Sequence, residues 1–226
     1  MAVYISASRR ERVPELEDAL ARQGMQAKKV EESFFDERFA KGHQGIAARM
    51  EPREYSRLED LLLVPAEKGQ PPLFLLLDGI EDPRNFGSIL RVADAGGVNG
   101  VVIPSHRAAP LTSETVKASA GASEHVMISM VPNIKHAIRV MKEKDIVIVG
   151  AEADGQVPVW EADLAGPVAL VVGSEGAGMR RTVKGHCDLI VRLPMQGKVN
   201  SLNVSVATGI IIFEIMRQRM RKIGIS

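Results

Sequence analysis

Leu73-Phe74-Leu75-Leu76-Leu77-Asp78 is an unbroken apolar run of strand length that ends on a carboxylate. Polar residues do not alternate with the apolar ones, so both sides of the extended chain must be covered. That is the pattern of a strand inside a parallel sheet. The same texture recurs downstream. Gly100–Pro104, Asp145–Gly150, Pro167–Val172 and Asp188–Leu193 read as further strands, and Asn85–Ala95, Pro132–Lys144 and Ser201–Lys222 as helices between and after them. Alternating strands and helices predict an α/β fold, a parallel sheet with helices on both faces.

Upstream the elements are shorter. Val3–Ser6 reads as a strand, and Pro14–Gln23 as a helix with Gly24 just past its end. Met25–Val30 and Gly45–Met50 read as strands. Ser56-Arg57-Leu58-Glu59 fits a capping box that opens a short helix through Leu63. The Pro-, Gly- and charge-rich stretch that follows reads as a linker. The expected division is a small N-terminal domain at 1–64, a linker at 65–72 and a catalytic domain at 73–226.

Composition bounds the function. The 226 residues are 45% hydrophobic and 25% charged, as in ordinary globular proteins. A net charge of +1 argues against a general polyanion binder but leaves room for an enzyme with basic residues on one face. Aromatic residues are 4% of the chain, which speaks against recognition of bases by aromatic platforms. No apolar run reaches membrane-spanning length, and the N-terminus lacks a signal-peptide pattern. Cys187 is the one cysteine, so no intrachain disulfide can form, and a reducing cytoplasmic setting is the default. His43, His106, His125, His136 and His186 show no metal-ligand spacing, so no metal site is expected.

In open parallel sheets ligands gather beyond the carboxyl ends of the strands. Three loops there are unusual. Asp78-Gly79-Ile80-Glu81-Asp82-Pro83-Arg84-Asn85-Phe86-Gly87 leads into a helix bearing Arg91. The plain reading makes Asn85 the helix cap and pairs Arg91 with Asp94 or Glu81. Gly173-Ser174-Glu175-Gly176-Ala177-Gly178-Met179 is glycine-rich, but it is neither a G-x-G-x-x-G fingerprint, a P-loop nor a G-x-S-x-G elbow. Glu175 there is either solvated or functional. Leu193-Pro194-Met195-Gln196-Gly197-Lys198-Val199-Asn200-Ser201-Leu202-Asn203 turns into the last helix, which Ser201 or Asn203 can cap or from which either can reach a substrate. Cys187 reads as a packed thiol. Arg217, Arg219, Arg221 and Lys222 complement the dipole of the closing helix and could also touch phosphate.

Together the three loops resemble the three motifs of the SpoU (TrmH-type) branch of the SPOUT methyltransferases. The matching stretches are Asp78–Gly97, Leu170–Met179 and Leu193–Glu214, in the family's order and separation. The resemblance spans roughly Leu73 to Lys222. The stretch His43-Gln44-Gly45-Ile46-Ala47-Ala48 is similar to the end of the small RNA substrate-binding domain, related to ribosomal protein L30e, of bacterial 23S rRNA guanosine 2′-O-methyltransferases. The helix that usually precedes Val3–Ser6 is not seen, so this domain reads as truncated.

The resemblance implies a C-terminal deep trefoil knot, a homodimer and transfer of methyl from S-adenosyl-L-methionine to a ribose 2′-hydroxyl. It implies RNA as partner, with a guanosine of 23S rRNA as the expected acceptor, tRNA as the alternative, and no DNA or membrane. A non-catalytic RNA-binding or ribosome-assembly protein is the alternative from another class. Carried over by motif, Asn85, Arg91, Glu175, Ser201 and Asn203 are the catalytic set, and Gly173, Leu193, Leu202 and Ala151 contact the cofactor. The family proposes the arginine matching Arg91 as base. An ordinary guanidinium is always protonated, so orienting phosphate and stabilising a developing alkoxide is the simpler role.

Overall fold

The computed structural model describes residues 2–9, 13–39, 43–49 and 53–224, with only the backbone at Lys68. Met50, the expected end of the third strand, lies outside these. The chain divides into two compact units, Met1–Arg53 and Glu54–Ser226.

The first unit is a three-stranded sheet in the order β2-β1-β3, built from β1 (Ala2–Ser6), β2 (Ala27–Val30) and β3 (Ile46–Arg49). β1 runs parallel to β2 and antiparallel to β3. Helix α1 (Val13–Arg22) buries Val13 and Leu20 and stops at Gly24, whose φ of 68° the absent Cβ permits. Helix α2 (Glu32–Arg38) has no counterpart in the sequence reading. Its Phe34 meets Tyr4 at 5.0 Å between ring centroids, and Phe35 is fully buried with His43 stacked on it at 4.9 Å. Part of the chain's scarce aromatic content is thus spent on this small core.

The second unit is a seven-stranded sheet in the order β6-β5-β4-β9-β7-β10-β8. The strands are β4 (Leu73–Asp78), β5 (Gly100–Pro104), β6 (Ile128–Val131), β7 (Val147–Ala151), β8 (Val157–Pro158), β9 (Val168–Gly173) and β10 (Leu189–Arg192). Every pairing is parallel. All six residues of β4 are buried, as its unbroken apolar run requires. Leu73, Leu75 and Leu77 face one layer, with helices α5 (Pro83–Ala95) and α9 (Val204–Lys222). Phe74 and Leu76 face the other, with α3 (Leu58–Leu61), α7 (Ile134–Lys142) and α8 (Arg181–Lys184). Truncating such a leucine to alanine costs about 2–5 kcal/mol.

Two expectations are corrected here. Ser56 does not cap a helix: its backbone N–H donates to the Ile128 carbonyl at 2.8 Å in a bridge beside β6, and α3 starts one residue after Arg57 with no side-chain cap. The expected linker is not free chain. Residues 64–68 form helix α4 (Val64–Lys68), which ends at Gly69 in left-handed conformation. Leu58, Leu61 and Val64 are buried, so apolar anchoring holds 54–72 in the larger unit. Helix α6 (Ser113–Ala118), capped by Thr112, completes the fold.

Candidate active site

The three unusual loops leave the carboxyl ends of β4, β9 and β10, with β7 between the last two. β4 and β9 are paired through to Asp78 and Gly173, and β7 and β10 follow on the far side of β9. The loop after β4 enters α5, whose cap is Asp82 rather than Asn85. The Asp82 carboxylate accepts from the N–H groups of Arg84 at 2.7 Å and Asn85 at 3.4 Å. With the cap supplied upstream, the Asn85 side chain is left for other work.

That work is a joint among the three loops. Asn203 Nδ2 donates to Asn85 Oδ1 at 2.9 Å and to Glu175 Oε1 at 2.5 Å. Asn203 Oδ1 accepts from the Ser205 N–H at 3.0 Å, from Ser205 Oγ and from the Val206 N–H, so the same side chain caps α9. The Val204 N–H adds a donor to Glu175 Oε1 at 3.3 Å. One amide thus ties together residues from all three loops. A cleft of ≈ 370 Å³ opens beside it, between residues 79–82 and 174–177, with Asn85 and Val204 in its wall.

Two carboxylates that the sequence reading did not assign hold the glycine loop. Asp78, fully buried at the end of β4, accepts from Arg180 N at 2.8 Å and from Arg180 Nε at 2.7 Å. Glu152, one residue beyond β7, accepts from the Met179 N–H at 2.6 Å. Within the loop, Ser174 and Gly178 exchange backbone bonds at 3.2 and 2.9 Å. A Cβ on Gly173 would lie 2.1 Å from the Gly178 carbonyl carbon, and Gly178 has a φ of +64°. These two glycines are therefore required by the loop's own closure. A carboxylate at or just past the end of a parallel strand was the available signal for both contacts, with a basic residue at a helix start as a further one for Asp78–Arg180.

The remaining expected residues are less tightly knit. Gly173 and Ala151 end adjacent strands, with Ala151 in register with Val172 and Val191. Leu193 directly follows β10, and Leu202 lies exposed just before α9. Among the described residues, 194–202 make no backbone–backbone hydrogen bonds. Their amides and carbonyls, next to three strand ends, suit a nucleoside cofactor gripped through the main chain. Ser201 is exposed and takes no part in the joint. Arg91 is exposed on α5 and makes no ion pair among the described residues, so neither Asp94 nor Glu81 engages it. Cys187 is packed, and burial pushes its thiol up to about 11, which keeps it protonated. No cluster of three or more potential metal ligands occurs among the described residues, and no helix there is long and apolar enough to cross a membrane.

The model of the SpoU rRNA methylase family matches residues 72–213, which contain all three loops and their shared joint. The chain belongs to the SpoU rRNA methylase family. YacO of Bacillus subtilis (strain 168), named for the TrmH family of tRNA/rRNA methyltransferases, is 44% identical over 198 residues, covering 88% of this chain and 80% of that protein. The 23S rRNA (guanosine-2′-O-)-methyltransferase RlmB of Escherichia coli (strain K12) is 42% identical over 202 residues, covering 89% and 83%. The AdoMet-bound rRNA methyltransferase of Sinorhizobium meliloti has a similar structure, with a TM-score of 0.75 at 27% identity over 96% of this chain and 79% of that one. In this SpoU member the Asn85–Asn203–Glu175 joint is the point where the loops of the family match meet.

Proposed function

We propose that this protein methylates the 2′-hydroxyl of a guanosine in 23S rRNA, with S-adenosyl-L-methionine as donor. The observation that carries the proposal is the convergence of Asn85, Glu175 and Asn203 on one amide inside a SpoU family match. The name of the Escherichia coli relative supports the acceptor, and the cofactor in the Sinorhizobium structure supports the donor. The tRNA/rRNA name of the Bacillus relative keeps tRNA as the alternative acceptor.

The cofactor brings a methyl group already activated on a sulfonium. The protein's tasks are then proximity, alignment and handling of the hydroxyl proton. Gly173, Ala151, Leu193 and Leu202 offer main-chain groups to the cofactor. Glu175 and Asn85, locked by Asn203, shape the cleft in which the ribose sits. Ser201, exposed on the approach to α9, is available to the ribose. Arg91 is a free guanidinium that orients the adjoining phosphate and steadies the developing alkoxide; its planar fork suits phosphate in a way a lysine does not. Arg91→Lys is expected to lower turnover by about 10²-fold while cofactor affinity is kept. Near-normal methylation by that variant would remove Arg91 from the mechanism.

Three finer features belong to the same proposal. A trefoil knot is supported by the way the β7–β8 connection wraps β10: Glu152 N–H donates to the Val191 carbonyl, and Arg192 Nη1 donates to the carbonyls of Gly155 and Gln156. An RNA substrate-binding role for the N-terminal unit, in an L30e-like arrangement, is supported by its three-stranded sheet and its His43–Ala48 stretch. A homodimer is supported by the apolar outer face of α9. The test of the function is incubation with radiolabelled cofactor and total RNA, with the label mapped by resistance to alkaline cleavage. Label at a guanosine ribose of 23S rRNA is expected; label on a base would contradict the proposal. Cofactor binding without transfer to any RNA would point to the non-catalytic alternative.

A further inference from the structure

We propose that the face made by α7 and α8 is a second RNA contact, a sequence-independent phosphate track leading away from the methyl-transfer cleft. This rests on the reading of the protein as an RNA enzyme. The chain is nearly neutral, yet residues 134–142 and 180–188 hold six Lys and Arg against a single acidic residue, Asp188. From outside these segments Asp78 holds Arg180 and Asp154 holds Lys184, which leaves Lys135, Arg139 and Arg181 as the charges open to a ligand. The two segments lie on the same side of the sheet, since Ile134, Ile138, Met141 and Val183 share one core cluster. The basic residues therefore gather on one surface of a molecule whose remainder is net acidic.

Between the segments is a cleft of ≈ 430 Å³, lined by Lys135, His136, Arg139, Lys142 and His186 over Ile138, with no acidic residue in its wall. Lys142 is anchored to Asp188, while Arg139 meets Glu143 only at 3.9 Å between exposed side chains. Such an exposed pair holds the guanidinium weakly and yields readily to phosphate. Lys135 makes no ion pair among the described residues. From Lys135 to Lys142 is about 10 Å of helix, a length that spans more than one phosphate of a nucleic-acid strand. No Phe, Tyr or Trp lines the cleft, and its two imidazoles stand among Lys and Arg, so it offers chiefly charge.

The track is continuous with the catalytic loop. Arg180, fixed by the buried Asp78, and exposed Arg181 follow directly from the glycine loop at 173–179. A strand whose target ribose sits in the cleft beside Glu175 can lay its neighbouring phosphates over the head of α8 and onto α7.

The test uses the full chain, in vitro-transcribed 23S rRNA as probe, and the double variant Lys135→Glu/Arg139→Glu, which leaves the methyl-transfer residues intact. Direct binding is measured between about 50 and 200 mM salt. The variant is expected to bind at least tenfold more weakly at the low-salt end, with the slope of log affinity against log salt shallower by about one to two. KM for RNA should rise, while turnover at saturating RNA and cofactor affinity stay. Lys135→Gln/Arg139→Gln, which keeps helix propensity, should move the same way by less and serves if the reversal variant fails to fold. Unchanged affinity and slope in both variants would overturn the track. Because binding is read without turnover, a wild type that binds through this face but transfers no methyl would sink the proposed reaction alone.

Discussion

Asn203 does two things with one side chain, and they can be separated. Its Oδ1 caps α9, and its Nδ2 holds Asn85 and Glu175. Asn203→Ala removes both and is expected to cost about 1 kcal/mol of stability from the cap alone. Asn203→Asp keeps the acceptor but replaces the donor with a charge facing Glu175. Turnover should fall at least about tenfold, in line with losing an orienting partner of a site, and the two facing carboxylates should repel and lower the melting temperature even though the cap is kept. Equal turnover in wild type and Asn203→Asp would show that the joint is structural only. The resemblance carried over Asn85, Arg91, Glu175, Ser201 and Asn203 as one set, of which the structure joins Asn85, Glu175 and Asn203. It could not show that Asp82 takes over the capping of α5, because Asp and Asn three residues apart fit that role equally well. Nor did it reveal Asp78–Arg180, a pair 102 positions apart in sequence that exists only once β4 and β9 are neighbours.

The helices and strands divide along similar lines. β4 and β5 have the bounds expected from their sequence, because full burial and an apolar run are the same fact seen twice. β8 has two residues and is defined only by its pairing to β10, so no local pattern could announce it. α2 carries adjacent Phe34 and Phe35 among charges and shows no clear helical period. The basic end of α9 looked like dipole complement, and the structure gives it sharper work. Arg219 donates to the carbonyls of Pro71, Pro72 and Gly166, pinning the entries to β4 and β9. Arg217 and Gln218 donate to the buried Glu214, and the Arg217 guanidinium holds that carboxyl below its ordinary value of 4.5. A folded-state value lowered in this way stabilises the protein above about pH 4.5, and the stabilisation is lost as pH falls through the folded value. Glu214→Gln should therefore narrow its stability gap to wild type as acid melts are run from pH 6 towards about pH 3. A gap independent of pH would mean that the ion pair contributes nothing to folding.

α9 is also the place where one chain looks incomplete. Ile211, Ile212 and Ile215 are buried against the sheet layer, Gly209 meets Val92 of α5, and Ile212 meets Gly96 just past the end of that helix. Yet Val206, Ile210, Phe213 and Met220 form a second stripe on its outer side, 50%, 37%, 49% and 41% exposed. Their spacing of four, three and seven residues keeps them on one face. A helix apolar on both sides is the pattern of a buried helix, so the outer stripe calls for a cover. In the proposed homodimer a second copy of the chain would supply it by symmetry, each stripe meeting its own counterpart across a two-fold axis. The protein should then sediment as a dimer at micromolar concentration. Phe213→Asp, which sets a charge in the middle of the stripe while leaving Ile212 and the α5 contact in place, should halve the sedimenting mass and retain the far-ultraviolet circular dichroism of the parent. A wild type that stays monomeric and soluble at that concentration would leave the stripe to another partner, and with it the dimer would fall while the joint at Asn203, built within one chain, would stand.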